Sequence, residues 1–290
     1  MNLILIFLLG VIDIASGSLE IEKRNGVMVY FLKDGVTLTF DSTVVTSDEG
    51  IYFIDEKWGK LYGHVRLKTP DYTINADSLI YFEESGRTIF RINVSGMDSS
   101  ALFEAENVVV QGDTAFASGG VYIFLVNDSI TFRGDSAVYY LNLSEGKIFK
   151  NSEASLVNGD TVRLNADSLR FKKNTLTAWG EVSINSSRFR GGAFELVFSR
   201  IDEATAAIGM FGGGVFDAGN THVEGDTLSF NLVDGEVRDA KFSGSPEIKA
   251  KEKNGYIRVR ASEISVELEG DSLRYFEARG KVEGEFVENE

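Results

Sequence analysis

Val162-Arg163-Leu164-Asn165-Ala166-Asp167-Ser168-Leu169-Arg170-Phe171 changes phase halfway along its length. Val162, Leu164 and Ala166 alternate with polar residues, as in a strand with one apolar face. Leu169 and Phe171 fall in the opposite phase, together with Asp167. Successive side chains of a strand point to opposite faces, so a straight strand cannot bury both sets on one side. A bulge or sharp corner between Ala166 and Leu169 reconciles them, and a small residue beside Asp-Ser suits such a place. The stretch therefore reads as strand, corner, strand.

The same pattern recurs along the chain. Ile74–Tyr81 reads Ile-Asn-Ala-Asp-Ser-Leu-Ile-Tyr, Phe132–Tyr139 reads Phe-Arg-Gly-Asp-Ser-Ala-Val-Tyr, and Val223–Phe230 reads Val-Glu-Gly-Asp-Thr-Leu-Ser-Phe. Alignment on the acid gives Asp41, Asp77, Glu106, Asp135, Asp167, Phe194, Asp226 and Ser262, at intervals of about thirty residues, the signature of a serially extended architecture. Phe194 and Ser262 stand where the acid is lost. The carboxylate is thus dispensable for the unit, which favours a turn role over catalysis. Each copy has a second half ending in Gly-x-Val or a near equivalent, as in Gly63-His64-Val65, Gly119-Gly120-Val121, Gly180-Glu181-Val182, Gly213-Gly214-Val215 and Gly280-Lys281-Val282. Short turns such as Glu83–Gly86 connect the halves as antiparallel hairpins. A unit reads as motif strand, return strand, glycine kink and short strand. The glycine cluster Gly209–Gly214 falls on such a kink, and it lacks the following helix or Gly-Lys-Ser/Thr ending of a phosphate loop.

No window carries apolar residues at i, i+3, i+4 and i+7 behind a cap. Strand formers dominate, with 21 Phe, and 30 Gly supply turns and kinks. The expected fold is all-β: an elongated open antiparallel β-jellyroll of about eight repeats. A right-handed parallel β-helix is the alternative. Hairpin turns and variable spacing favour the antiparallel roll.

Composition narrows the function classes. The 290 residues are 43% hydrophobic and carry 29 basic against 44 acidic side chains, a net charge of −15. A nucleic-acid binder needs the opposite sign. The chain has no Cys, which excludes disulfides, thiol catalysis and thiolate metal sites. His64 and His222 have nothing at metal-ligand spacing around them. No Gly-x-Ser-x-Gly elbow occurs, and the acids follow the repeat rather than break it, so no enzyme activity, cofactor or metal is expected. Leu3–Val11 is almost wholly apolar and Ala15-Ser16-Gly17 offers small residues, so residues 1–18 read as a secretory signal. A retained membrane anchor is the minority reading. The remainder, 19–290, is continuous or two fused domains over 19–160 and 161–290.

One phase of the strands is heavily apolar: Ile74, Leu79, Tyr81, Phe103, Val108, Val110, Phe132, Val138, Tyr140, Leu164, Leu169, Phe171, Leu196, Phe198, Val223, Leu228 and Phe230. In a closed sandwich these residues are core. In an open roll they line a trough able to hold alkyl chains, at roughly 0.8 kcal/mol per CH₂ buried. The run Val27–Leu32 carries no charge guard, so Val27, Val29 and Phe31 are expected to form a docking edge.

The succession of apolar-x-Ala-Asp-Ser-Leu-x-aromatic units, each followed by Gly-x-Val, resembles the OstA-like (LptA-type) domain family. Ile74–Tyr81 and Leu164–Phe171 with its continuation to Val182 carry the resemblance best, and it covers nearly the whole chain after the signal. It implies a periplasmic protein whose open β-jellyroll holds the acyl chains of lipopolysaccharide or a related glycolipid. It also implies partners among other OstA-like envelope proteins, in the inner-membrane complex and the outer-membrane translocon, and head-to-tail homo-oligomers. The chain is longer than the usual bridge subunit and lacks the translocon's barrel.

Overall fold

A computed structural model describes residues 13–140, 143, 145–158, 160–201, 205–234, 236–269 and 272–288. The expected signal falls partly outside them, at residues 1–12. The described chain is all-β, with 22 strands and antiparallel pairing throughout, which excludes the β-helix. It divides into two compact units within one strand, between Ile148 and Phe149.

The first unit is a meander. Strands β1 (Asp13–Arg24) and β2 (Val27–Phe40) form a hairpin across Asn25-Gly26, both with positive φ as the tightest right-twisted turns require. β3 (Thr43–Ser47) and β4 (Glu49–Phe53) pair with the two halves of β2 and behave as one strand broken at Asp48. β5 (Trp58–Lys68), β6 (Tyr72–Phe82), β7 (Arg87–Asp98), β8 (Ala101–Gln111), β9 (Thr114–Leu125) and β10 (Ile130–Tyr140) follow, each paired with its predecessor. β11 (Glu145–Asn158) carries the division between units.

The second unit repeats the scheme. β12 (Asp160–Lys172), β13 (Thr175–Asn185), β14 (Phe189–Arg200), β15 (Thr205–Ala218) and β16 (Thr221–Val233) pair in sequence. The second half of β16 then pairs with β17 (Glu236–Ser243) and its first half with β18 (Glu247–Glu252). One wall continues through β20 (Glu263–Glu269) to β21 (Ser272–Arg279). The other continues through β19 (Gly255–Arg260) to β22 (Glu283–Glu288). This split shows what every long strand does: its two halves belong to different walls.

The corner between walls is a stacked ladder of bulges. At each step two residues on the return strand oppose a single residue of the motif strand. Gly63-His64 faces Asp77 on one side, Gly180-Glu181 faces Phe194, and Gly212-Gly213 faces Asp226. Both residues of each return pair have positive φ. The motif strand spends one residue at the corner where the return strand spends two, so the motif strand changes phase: Leu164 and Ala166 point inward before the corner and Leu169 after it, and all three are buried. The phase change therefore becomes a register shift between Asn165 and Ser168.

Three sequence expectations change. The repeat has two long bent strands rather than three, because the return strand runs through its kink unbroken, as in β13 and β15. The corner acid of the first full repeat is Asp48, not Asp41. Asp41 lies in the β2–β3 turn, whereas Asp48 packs on Gly63. The third concerns β2. It is paired on both sides, Val29 with Glu22 and Phe53, and Phe31 with Glu20 and Ile51. Val27, Val29 and Phe31 therefore present no free backbone edge; among the described residues β1 takes that place. The sequence hides this because Ile14-Ala15-Ser16-Gly17-Ser18-Leu19-Glu20-Ile21 is itself a copy of the motif, with Gly17 in the acid's position.

Candidate functional site: the facing inner rows

Behind the corners, cross-strand neighbours form continuous apolar rows on the inner face. In the first unit one wall carries Ile14, Leu38, Val45, Leu67, Ile74, Gly96, Phe103, Ile123 and Phe132, each opposite the next. The other wall carries Leu19, Leu32, Gly50, Leu61, Leu79, Phe90, Val108, Ala117 and Ala137. A parallel row holds Tyr30, Tyr52, Gly59, Tyr81, Thr88, Val110, Ala115 and Tyr139. Large and small residues alternate so that rings lie over glycines. A Cβ on Gly96 would strike the Phe103 ring, and one on Gly59 would crowd Tyr52.

The second unit has the same rows. Leu164, Ile184, Gly191, Phe216, Val223, Ile248 and Val259 line one wall. Leu169, Ala178, Leu196, Met210, Leu228, Phe242 and Ile264 line the other, with Phe171, Phe198 and Phe230 one row further out. Here the walls touch. Phe216 and Phe230, from opposite walls, stand 4.3 Å apart at their ring centroids, and the Met210 Cε lies 3.1 Å from where Gly191 would carry a Cβ. Leu169, Leu196, Met210, Leu228 and Ile264 are fully buried. Each such side chain contributes on the order of 1.5–3 kcal/mol by leaving water.

Of the seventeen residues expected to line the interior, all but two lie in these inner rows. Val138 and Tyr140 do not. Val138 sits opposite Phe116, which is 46% exposed, and Tyr140 opposite Thr114; the inner residues of β10 are Ala137 and Tyr139. The apolar pattern misleads there because both phases of Ala137–Tyr140 are apolar. Reading only motif strands also leaves out the return-strand partners Leu61, Phe90, Met210, Phe216 and Phe242. The Gly-x-Val kink is their signal: an inner residue precedes the left-handed pair by two positions and another follows it directly, as Ala178 and Val182 flank Gly180-Glu181.

The rows do not stop at the edge strands. On β1, Ile14, Leu19 and Ile21 are each more than half exposed although they occupy inner positions. At the end of the second unit Ile257 and Phe286 pair across β19 and β22, and Phe276 projects from β21. All three are 40% exposed or more.

The corner acids sit against backbone. A Cβ on Gly63, Gly119, Gly180 or Gly244 would collide with Asp48, Glu106, Asp167 or Asp226 respectively. At the Asp77 corner the left-handed pair is Ile92-Asn93, and the Asn93 amide donates to the Asp77 carboxylate at 3.1 Å. His64 is well exposed and its Nδ1 lies 2.8 Å from Asp48. These are local packing contacts, and no His, Asp or Glu cluster among the described residues is arranged to hold a metal ion.

The outer face of the second unit carries a tight polar group around His222. His222 lies between Asp217, 2.6 Å from Nδ1, and Glu224, 2.7 Å from Nε2, while Arg190 donates to Asp217 at 3.1 Å. The Glu224 and Asp217 carboxylates raise the His222 pKa above the usual imidazole value, and His222 in turn lowers that of Asp217. In the first unit burial pushes the Tyr72 hydroxyl up to about 12.

No protein-family model matches the sequence, and no curated protein matches it. Among solved structures the chain is similar to the crystal structure of LptH, the LptA-homologous periplasmic component of the conserved lipopolysaccharide transport device from Pseudomonas aeruginosa. That similarity has a TM-score of 0.36 and 12% identity, over 39% of this chain and 93% of that one.

Proposed function

We propose that this chain is a non-enzymatic periplasmic glycolipid carrier of the lipopolysaccharide-transport type, holding acyl chains between the two walls of its β-roll. The observation that carries the reading is the inner apolar rows of each unit, which reach β1 in the first and β19, β21 and β22 in the second with side chains still exposed. An apolar lane that reaches a strand edge with no partner among the described residues suits transfer to a neighbour of the same architecture, whether a second copy or another OstA-like envelope protein. The seventeen residues named from the sequence, less Val138 and Tyr140, would contact the chains. The wall-to-wall contacts at Phe216–Phe230 would have to part for a chain to pass.

A structural role with a permanently closed core is the second reading, favoured by the full burial of Leu169, Leu196 and Leu228. Lipid extraction and mass spectrometry of the protein purified without detergent from its native envelope separate the two. Stoichiometric acylated glycolipid is the expected result. Lipid-free protein that also fails to take up added lipopolysaccharide rejects carriage and leaves the closed scaffold.

A further inference from the structure

Thr88 is the odd residue on the inner face. It lies on β7 in the row between Tyr81 and Val110, two positions before Phe90, and like Phe90 it has no solvent exposure. Its Oγ1 has no hydrogen-bond partner among the described residues. By contrast, the buried Ser47 donates to the Glu49 carbonyl at 3.0 Å and Ser152 to the Asp167 carbonyl at 3.2 Å. A buried hydroxyl left unbonded destabilises a fold, and valine would fill the same volume without that cost. A ligand oxygen placed within reach of it would supply the missing bond.

We infer that Thr88 is a specificity-determining residue of the interior, and that it hydrogen-bonds an oxygen carried on an acyl chain bound between the walls of the first unit. The ligand class is a fatty acyl chain bearing a hydroxyl or carbonyl oxygen. A plain alkyl chain would pass this point without satisfying Thr88. The hydroxyl can both donate and accept, so either kind of oxygen serves. The row around it, Tyr81, Val110 and Ala115, supplies apolar surface for the flanking methylenes. This inference rests on the carrier reading above.

The test is competition of hexadecanoic acid and its 2-, 3- and 16-hydroxy derivatives against a fluorescent apolar probe bound to the full chain. Wild type is expected to prefer at least one hydroxy acid by about five- to tenfold. Thr88→Val is expected to abolish that preference while raising the Tm of the ligand-free protein. Thr88→Ser, which keeps the hydroxyl, is expected to retain the preference and guards against a valine variant that folds poorly. An unchanged preference in Thr88→Val, or its loss in Thr88→Ser, overturns the inference. So does equal binding of all four acids by wild type. Binding of none of them refutes the carrier reading instead.

Discussion

Gly180→Ala tests the corner ladder directly. Gly180 has φ of +73°, a region that costs an L-residue with a Cβ roughly 1–2 kcal/mol. The new Cβ would also land on the Asp167 side chain across the corner, so the carboxylate must move off the backbone. Strain and displacement together should destabilise the protein by about 2–3 kcal/mol, each contact being worth on the order of 1 kcal/mol. Asp167→Ala removes the carboxylate, the nearest part of that obstacle, without touching φ. The double variant should therefore recover the displacement part, a coupling of about 1 kcal/mol, and keep the strain part. Urea denaturation followed by circular dichroism gives all four corners of the cycle, with the midpoint shift read at unchanged slope. Strictly additive effects would show that Asp167 does not pack on Gly180. A neutral Gly180→Ala would show that the corner is not left-handed there, and the explanation of the phase change would fail with it.

Other expectations follow from the same geometry. Leu169→Ala, at a fully buried inner position, should cost about 2–5 kcal/mol in the same denaturation assay; a loss below 1 kcal/mol would mean the walls part easily at that level. Val29→Pro should lower stability rather than act on assembly alone, because β2 is paired on both sides. Ile21→Pro, on the edge strand, should instead reduce concentration-dependent self-association, measured by sedimentation velocity, with little change in Tm. His222 has its pKa raised by Glu224 and Asp217, so its contribution is present in full below the unfolded imidazole value and disappears as pH rises through the raised one. Wild type should exceed His222→Gln in Tm by more at pH 5.5 than at pH 9; an equal gap at both would dissociate the imidazole charge from stability.

The alternation of Val162–Phe171 was enough, by itself, to require a corner, because a period of two cannot change face without an irregularity. The recurrence of that stretch with Gly-x-Val likewise required serial antiparallel strands. Local patterns carry such information because they depend on backbone sterics within a few residues. The expected edge at Val27–Phe31 failed for the opposite reason. Whether a strand is an edge depends on what pairs beside it, and the Ile14–Ile21 copy resembles the small-residue end of a signal more than a strand. Val138 and Tyr140 were misplaced because an all-apolar segment has no phase of its own; only its register with Phe116 and Thr114 fixes one. The fate of Leu169 lay outside the sequence too. Its apolar side chain was certain to point inward, but only the second wall, which brings Phe216 against Phe230, decided that it is fully buried there.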